Sequence, residues 1–229
     1  MNIKGIRRIN ILYWLSFALI LGAIYMTFIY VPTEKNMGTV QRIFYFHVPL
    51  AWVAFLAFFV VFICSIMYLW KRNIKWDGYS SASAEVGLLF TTLVLITGSI
   101  WAKPVWGVWW TWDARLTAAL VLWLIYVAYF LVRNYAEEQS QGARFAAVLG
   151  IIGFVDVPVV ALAVNLWRTQ HPTTLIFEGG LDKAMLVTLL VSITAFTFLY
   201  ITLFIRRYSL NRMESEIKRL TDIQKERKG

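Results

Sequence analysis

Long apolar segments, separated by short polar connections, dominate the pattern of this 229-residue chain. A membrane-spanning helix needs about 20 predominantly apolar residues, and six segments come near or exceed that length. The pattern therefore predicts an all-α fold, a polytopic membrane helix bundle with six transmembrane helices. The predicted spans cover residues 9–31, 43–70, 86–101, 116–132, 145–167 and 184–205. The third and fourth spans are the shortest, and a tryptophan-rich connection joins them.

The basic residues predict the orientation of the bundle. Sixteen of the 22 lysines and arginines fall on the side that holds the N-terminus, the 71–85 and 133–144 connections and the C-terminal tail. Since short cytoplasmic connections are enriched in lysine and arginine, both termini are expected in the cytoplasm. The tryptophan-rich connection then faces outward. Residues 209–229 are set apart from the membrane domain 1–208 as a basic amphipathic tail, which lies on the inner leaflet or docks on a cytoplasmic partner.

Composition excludes several classes of protein. The chain is 59% hydrophobic and 15% charged, whereas a soluble domain is about 45–50% apolar and about a quarter charged. The net charge of +9 follows the membrane topology and does not indicate nucleic-acid binding. Cys64, the single cysteine, lies within an apolar run and is expected to pack as a small hydrophobic residue. Thiol–disulfide exchange and thiolate metal sites are therefore excluded.

The stretch from Trp101 to Thr117, WAKPVWGVWWTWDARLT, carries the densest chemistry. Five of the eleven tryptophans occur within twelve of its residues, and Lys103, Asp113 and Arg115 lie among them. Tryptophan commonly anchors a helix at the membrane interface, and an unusually dense anchor is one interpretation. The other is a binding surface for a flat, apolar ligand with charge at its rim.

The two histidines, His47 and His171, are both predicted on the outer side, in the connections that flank this stretch. Either could be an ordinary interfacial polar residue. Neutral imidazole also binds iron, zinc and copper, and two axial imidazoles satisfy a haem iron. Zinc would need further ligands, such as nearby carboxylates. Haem carboxylates suit basic partners, for which the outer candidates are Arg42, Lys103, Arg115 and Arg168.

Two other functions are open at this point. Asp156 lies inside the fifth span, two residues before Pro158, and ionisable residues within a membrane often mark a transport path. It could serve a permease for another substrate, although a structural polar position is the simpler interpretation. A bis-histidine electron-transfer cytochrome is the second alternative.

Four stretches resemble a known family: VQRIFYFHVPLAW (40–52), WGVWWTWDARLT (106–117), DVPVV (156–160) and LWRTQHP (166–172). They are similar to the WWD-domain haem-handling membrane proteins of cytochrome c maturation system I. Within that group they match CcmC, the small six-span family. The larger relatives CcmF and CcsA are longer or carry additional histidines. The basic tail is longer than this family leads us to expect.

The resemblance implies that the outer loop, at about 103–115, holds haem b as a transient cargo. It makes His47 and His171 the axial ligands of the iron. The other residues expected at the haem are Trp106, Trp109, Trp110, Trp112, Asp113, Arg115, Arg42 and Arg168. The implied partners are the haem chaperone CcmE, the ABC subunits CcmA and CcmB and the small subunit CcmD. The implied location is the inner membrane of a bacterium or organelle, with the haem on the periplasmic side. No GxxxxGK[ST] motif occurs, so an enzyme is not expected.

Overall fold

The computed structural model describes residues 3–136, 138–167, 169, 171 and 181–226. Six α-helices form the bundle: α1 (Ile3–Tyr25), α2 (Phe44–Lys71), α3 (Ile74–Trp106), α4 (Ala114–Tyr135), α5 (Gln139–Leu166) and α6 (Lys183–Glu226). A π-helical turn, Met26–Tyr30, extends α1, and a 3₁₀ turn, Thr39–Ile43, leads into α2. All six helices are long and apolar enough to cross a membrane, which confirms the predicted fold class.

The bundle is built around α2, which packs against α3, α5 and α6. In addition, α4 packs against α5, α1 against α6, and α3 against both α6 and α4. Residues of α2 such as Val53, Phe58 and Val61 are fully buried, so the helix has apolar neighbours on several sides. Cys64 is buried in the same helix, as its apolar surroundings predicted. We call the end of the bundle that holds residues 107–113 the loop end.

The third helix corrects the predicted boundaries. The pattern predicts a connection at residues 71–85 and a short third span, but α3 begins at Ile74 and is 33 residues long. Its first half is rich in serine, alanine and glycine, which lowers hydropathy without making the segment a surface loop. Small side chains let helices approach closely, and Ser83 donates a hydrogen bond of 2.8 Å to the Ala57 carbonyl of α2.

A buried ion pair, which the sequence did not reveal, joins this half of α3 to α4. Arg133 donates from both terminal nitrogens to the two carboxylate oxygens of Asp77, at 2.5 and 2.6 Å. The Asp77 side chain is only 4% exposed and that of Arg133 19%. Nearby, Ser80 lies 3.2 Å from both the Ser65 and the Tyr129 hydroxyl oxygens. The end of the bundle opposite the loop end is therefore fastened by polar contacts.

The helix expected in the C-terminal tail is present, but it is not a separate element. It continues α6, which runs without interruption for 44 residues, about 66 Å at 1.5 Å per residue. A helix needs a kink to cross a bilayer and then lie flat, and kinks usually occur at proline or glycine. Neither occurs within α6. The tail and the sixth span therefore form one continuous helix.

Candidate functional site

A cavity of about 970 Å³, counting the open space at its mouth, occupies the loop end of the bundle. Its wall comes mainly from α2, α3 and α4 and is largely apolar, with Ala51, Phe55, Val94, Val105 and Leu116 among its residues. The lining suits a ligand with apolar faces.

Both histidines line this cavity. His47 lies in the first turn of α2, immediately after the 3₁₀ turn. His171 belongs to the connection between α5 and α6, and its backbone N–H donates to the Thr169 hydroxyl at 3.1 Å. One imidazole from α2 and one from the α5–α6 connection thus line the same apolar cavity, as two axial ligands of one iron would have to do.

Three of the tryptophans form part of the wall: Trp101, Trp106 and Trp110. Trp101 is absent from the predicted site residues, yet its ring lies 5.8 Å from that of His47, edge to face at 71°. Trp109 and Trp112 are 58% and 76% exposed and do not line the cavity. The cluster therefore divides into an inner set that faces the ligand space and an outer set that faces away.

The non-helical part of the tryptophan-rich stretch is shorter than expected, because α3 continues through Trp106 and only residues 107–113 leave helical geometry. Gly107 ends α3 with φ at +78°, a conformation that favours glycine, and its N–H donates to the Lys103 carbonyl at 3.0 Å. The Lys103 ammonium donates in turn to the Gly107 carbonyl at 2.9 Å. Lys103 therefore fastens the start of the loop.

Asp113 closes the other end of the loop as the N-cap of α4. Its carboxylate accepts from the backbone N–H groups of Arg115 and Leu116 at 3.0 and 3.1 Å, and from the Thr111 hydroxyl at 2.9 Å. Such a cap satisfies donors that the first turn of a helix leaves unpaired. Asp113 thus sets the geometry of the loop and the position of Arg115 in the cavity wall.

The arginines predicted for an anionic ligand differ in their placement. Arg115 lines the cavity, and its Nη1 is buried without a hydrogen-bond partner among the described residues. Arg42 lies outside the lining, with its guanidinium 5.8 Å from the centre of the Phe28 ring. Arg168 lies outside the described residues. Arg115 is therefore the base that the described structure offers to a ligand in the cavity.

The residues present fit haem. An unsatisfied buried donor usually costs about 1–3 kcal/mol, and Arg115 Nη1, Trp101 Nε1 and Trp110 Nε1 are three such atoms at one cavity. A ligand with acceptor oxygens at its edge would satisfy such donors, while its faces would meet apolar side chains. Two imidazoles complete the set for an iron at its centre.

The cavity ends within the bundle. Its deepest described residues include Ala54, Thr91 and Leu122, each no more than 3% exposed. The next layer contains Phe58 and Tyr126, which are fully buried and stacked with ring centres 3.6 Å apart and planes 11° apart. This stacked pair forms a packed floor between the cavity and the opposite end of the bundle.

The model of one family, Heme exporter protein C, matches residues 3–223. The chain therefore belongs to the Heme exporter protein C (CcmC) family. It is 38% identical over 191 residues to Heme exporter protein C of Bradyrhizobium diazoefficiens, covering 82% of this chain and 71% of the relative. It is 34% identical over 179 residues to that of Escherichia coli K12, covering 78% and 73%. A ccmC-like mitochondrial protein of cytochrome c biosynthesis from Marchantia polymorpha is 32% identical over 179 residues, covering 77% and 76%.

Family membership confirms the resemblance recognised in the sequence. The roles of individual residues stay predictions. Asp156, the candidate of the permease alternative, does not line the cavity, although its Oδ2 is buried without a hydrogen-bond partner among the described residues. Asp156 therefore lies outside the cavity that the two histidines line.

Replacement of Asp113 by alanine is expected to lower the free energy of unfolding by about 0.5–2 kcal/mol, because α4 loses its cap. Asp113→Asn should retain most of that stability, since asparagine caps helices about as well. Chemical unfolding of the detergent-solubilised variants, followed by circular dichroism, measures both. Equal losses in the two variants would show that the negative charge of Asp113, and not its capping oxygen, stabilises the loop.

Proposed function

We propose that the protein is a haem-binding assembly factor of cytochrome c biogenesis, which holds haem at the outer face of the membrane and delivers it to the chaperone CcmE. Membership of the Heme exporter protein C family supports a role in haem handling for cytochrome c maturation. The observation that carries the finer proposal is that His47 and His171 line one apolar cavity together with three indole rings.

Each type of residue in the cavity wall has a distinct role in this proposal. His47 and His171 coordinate the iron from opposite sides, which leaves no axial position open to other reactants. Trp101, Trp106 and Trp110 pack against the apolar faces and edge of the cargo, and Arg115 receives a carboxylate. The cargo itself supplies the metal, so the protein contributes positioning and ligand field and needs no catalytic group of its own.

The family and the charge distribution both support a proposal for the location of the protein and its orientation in the membrane. We place the protein in the inner membrane of a bacterium or organelle, with both termini in the cytoplasm and the cavity on the periplasmic side. The excess of lysine and arginine in the connections opposite the loop end supports this orientation. The ABC subunits CcmA and CcmB and the small subunit CcmD are the proposed partners. Haem b is the proposed form of the cargo.

Absorption spectra test the ligands. The purified protein in detergent, reconstituted with haem b, should show the low-spin spectrum of bis-imidazole iron. His47→Ala and His171→Ala should each lose that spectrum or turn high-spin. Cys64→Ala, buried in α2 outside the cavity lining, serves as the control and should match the parent. A parent protein that fails to bind added haem, or a histidine variant with the parent spectrum, would refute the assignment.

Transfer to CcmE separates this proposal from an electron-transfer cytochrome. The haem-loaded protein is incubated with purified CcmE, and the distribution of haem between the two is measured after separation. An assembly factor should lose its haem to the chaperone. Haem that stays on the chain, and that is reversibly oxidised and reduced there, would favour the cytochrome.

A further inference from the structure

A threonine on α3 contacts the histidine on α2. His47 Nδ1 lies 2.9 Å from the Thr97 hydroxyl oxygen, and both residues are partly buried at the loop end. Thr97 does not itself line the cavity, whereas His47 does. The hydroxyl therefore stands behind the imidazole and cannot act as a ligand-binding group.

The direction of this hydrogen bond follows from the other contacts of Thr97. Its hydroxyl donates to the Leu93 carbonyl at 2.7 Å, with a weaker component to the Val94 carbonyl at 3.3 Å. A carbonyl can only accept, and a hydroxyl has a single proton. With that proton directed to the Leu93 carbonyl, the Thr97 oxygen is left to accept from His47, which places the imidazole proton on Nδ1.

The tautomer decides which nitrogen can bind a metal. A neutral imidazole carries one N–H, so protonation at Nδ1 leaves the lone pair on Nε2. Two further contacts restrict the ring. A Cβ built on Gly98 would lie 3.1 Å from His47 Cε1, and Trp101 meets the ring edge to face. The imidazole is thus held by a hydrogen bond on one side and by close packing on others.

We propose that Thr97 is a positioning residue that fixes His47 in its Nδ1–H tautomer and presents Nε2 to the iron of the cargo. The proposal rests on the proposed function, in which His47 is an axial ligand. A hydrogen bond from the second ring nitrogen orients a ligating histidine and raises its basicity, and its loss typically weakens metal binding 10–100-fold. A more basic imidazole also favours ferric over ferrous iron.

The first test uses the protein without haem. The chain has only two histidines, so ¹⁵N-histidine labelling gives two imidazole spectra, and His47→Ala identifies which one belongs to His47. The parent should show His47 protonated at Nδ1. Thr97→Val, which keeps the shape of the side chain but removes the oxygen, should shift the population toward the Nε2–H form. Thr97→Ser should restore the parent tautomer. A parent already in the Nε2–H form would overturn the proposal.

The second test measures haem affinity and midpoint potential by titration of the reconstituted protein. Thr97→Val should bind haem about 10–100-fold more weakly and show a higher midpoint potential. Thr97→Ser should resemble the parent. Thr202→Val is the matched control. Thr202 likewise donates to its own helix, at 2.8 Å to the Phe198 carbonyl, and it too lies outside the cavity lining, but it does not contact His47.

The outcomes separate a failure of the proposed function from a failure of the proposed role of Thr97. If His47→Ala binds haem as the parent does, the proposed function fails. If His47→Ala loses the ligand while Thr97→Val keeps the parent's affinity and potential, His47 is a ligand and the role of Thr97 is refuted. If Thr202→Val weakens binding as much as Thr97→Val, the effect reflects the loss of any buried hydroxyl, and the role of Thr97 is again refuted.

Discussion

Replacement of Arg133 by methionine is expected to lower the free energy of unfolding by about 3–5 kcal/mol, the range found when one partner of a buried ion pair is removed. The reason is the burial of Asp77, whose side chain is only 4% exposed and whose two oxygens both accept from Arg133. Without the guanidinium, the carboxylate must stay charged in an apolar region or take up a proton. Reversible unfolding in mixed micelles, followed by circular dichroism, gives the free energy.

Variants of Asp77, alone and combined with the Arg133 variant, provide internal controls. Asp77→Leu should cost less, because the long Arg133 side chain, already 19% exposed, can turn its charged end toward water. The double variant Asp77→Leu/Arg133→Met should recover most of the loss, since no charge is left without a partner. Arg219→Met is the matched control: its ion pair with Glu216 is exposed and worth at most about 1 kcal/mol. If Arg133→Met cost no more than Arg219→Met, the buried pair would not stabilise the bundle.

The second large effect is expected at Gly87, where α3 approaches α2. A Cβ at this position would lie 2.6 Å from Phe58 Cε1 and 3.1 Å from Ala57 Cβ. Phe58 cannot easily yield, because it is fully buried and stacked on Tyr126. Gly87→Ala is therefore expected to destabilise the protein by about 1–3 kcal/mol, as overpacking of a core does. The same unfolding measurement detects it.

Gly22→Ala is the control for Gly87→Ala. Gly22 lies within α1 and has open space where a Cβ would be. Its replacement should stabilise the helix by up to about 1 kcal/mol, the usual advantage of alanine over glycine. Adding Phe58→Leu to Gly87→Ala should relieve part of the clash. A Gly87→Ala variant as stable as Gly22→Ala would show that the two helices separate at little cost.

The helix count and the family could be predicted from the sequence because both depend on strong local signals. Runs of apolar residues determine how many helices cross the membrane. The tryptophan cluster is conspicuous because tryptophan is rare in most proteins. The histidines are conspicuous because this chain has only two. The first half of α3 is mispredicted for the opposite reason. Its small polar residues resemble a connection, and only their contacts with α2 and α4 account for their burial.

The contacts between residues at the site, and the direction in which side chains face, depend on tertiary packing and could not be predicted from local sequence. Thr97 is an ordinary threonine in an apolar helix, and nothing local indicates that it meets His47. The choice of Arg133 as the partner of Asp77 is equally a property of how α3 and α4 meet. Among the tryptophans, residue type could not tell Trp110, in the wall of the cavity, from Trp109, which faces outward. The direction in which each side chain of a short irregular loop points depends on the residues that fix the two ends of the loop, here Gly107 and Asp113.

The packed floor beneath the cavity limits how a bound molecule can enter and leave. In this conformation, the stacked rings of Phe58 and Tyr126 block the way toward the opposite end of the bundle. Among the described residues, the cavity is therefore closed on this side. If the cavity holds haem as proposed, a bound molecule cannot be displaced from that side by the next one. The site would then have to be emptied before it could be filled again, so the protein that receives the haem would also set the rate of reloading.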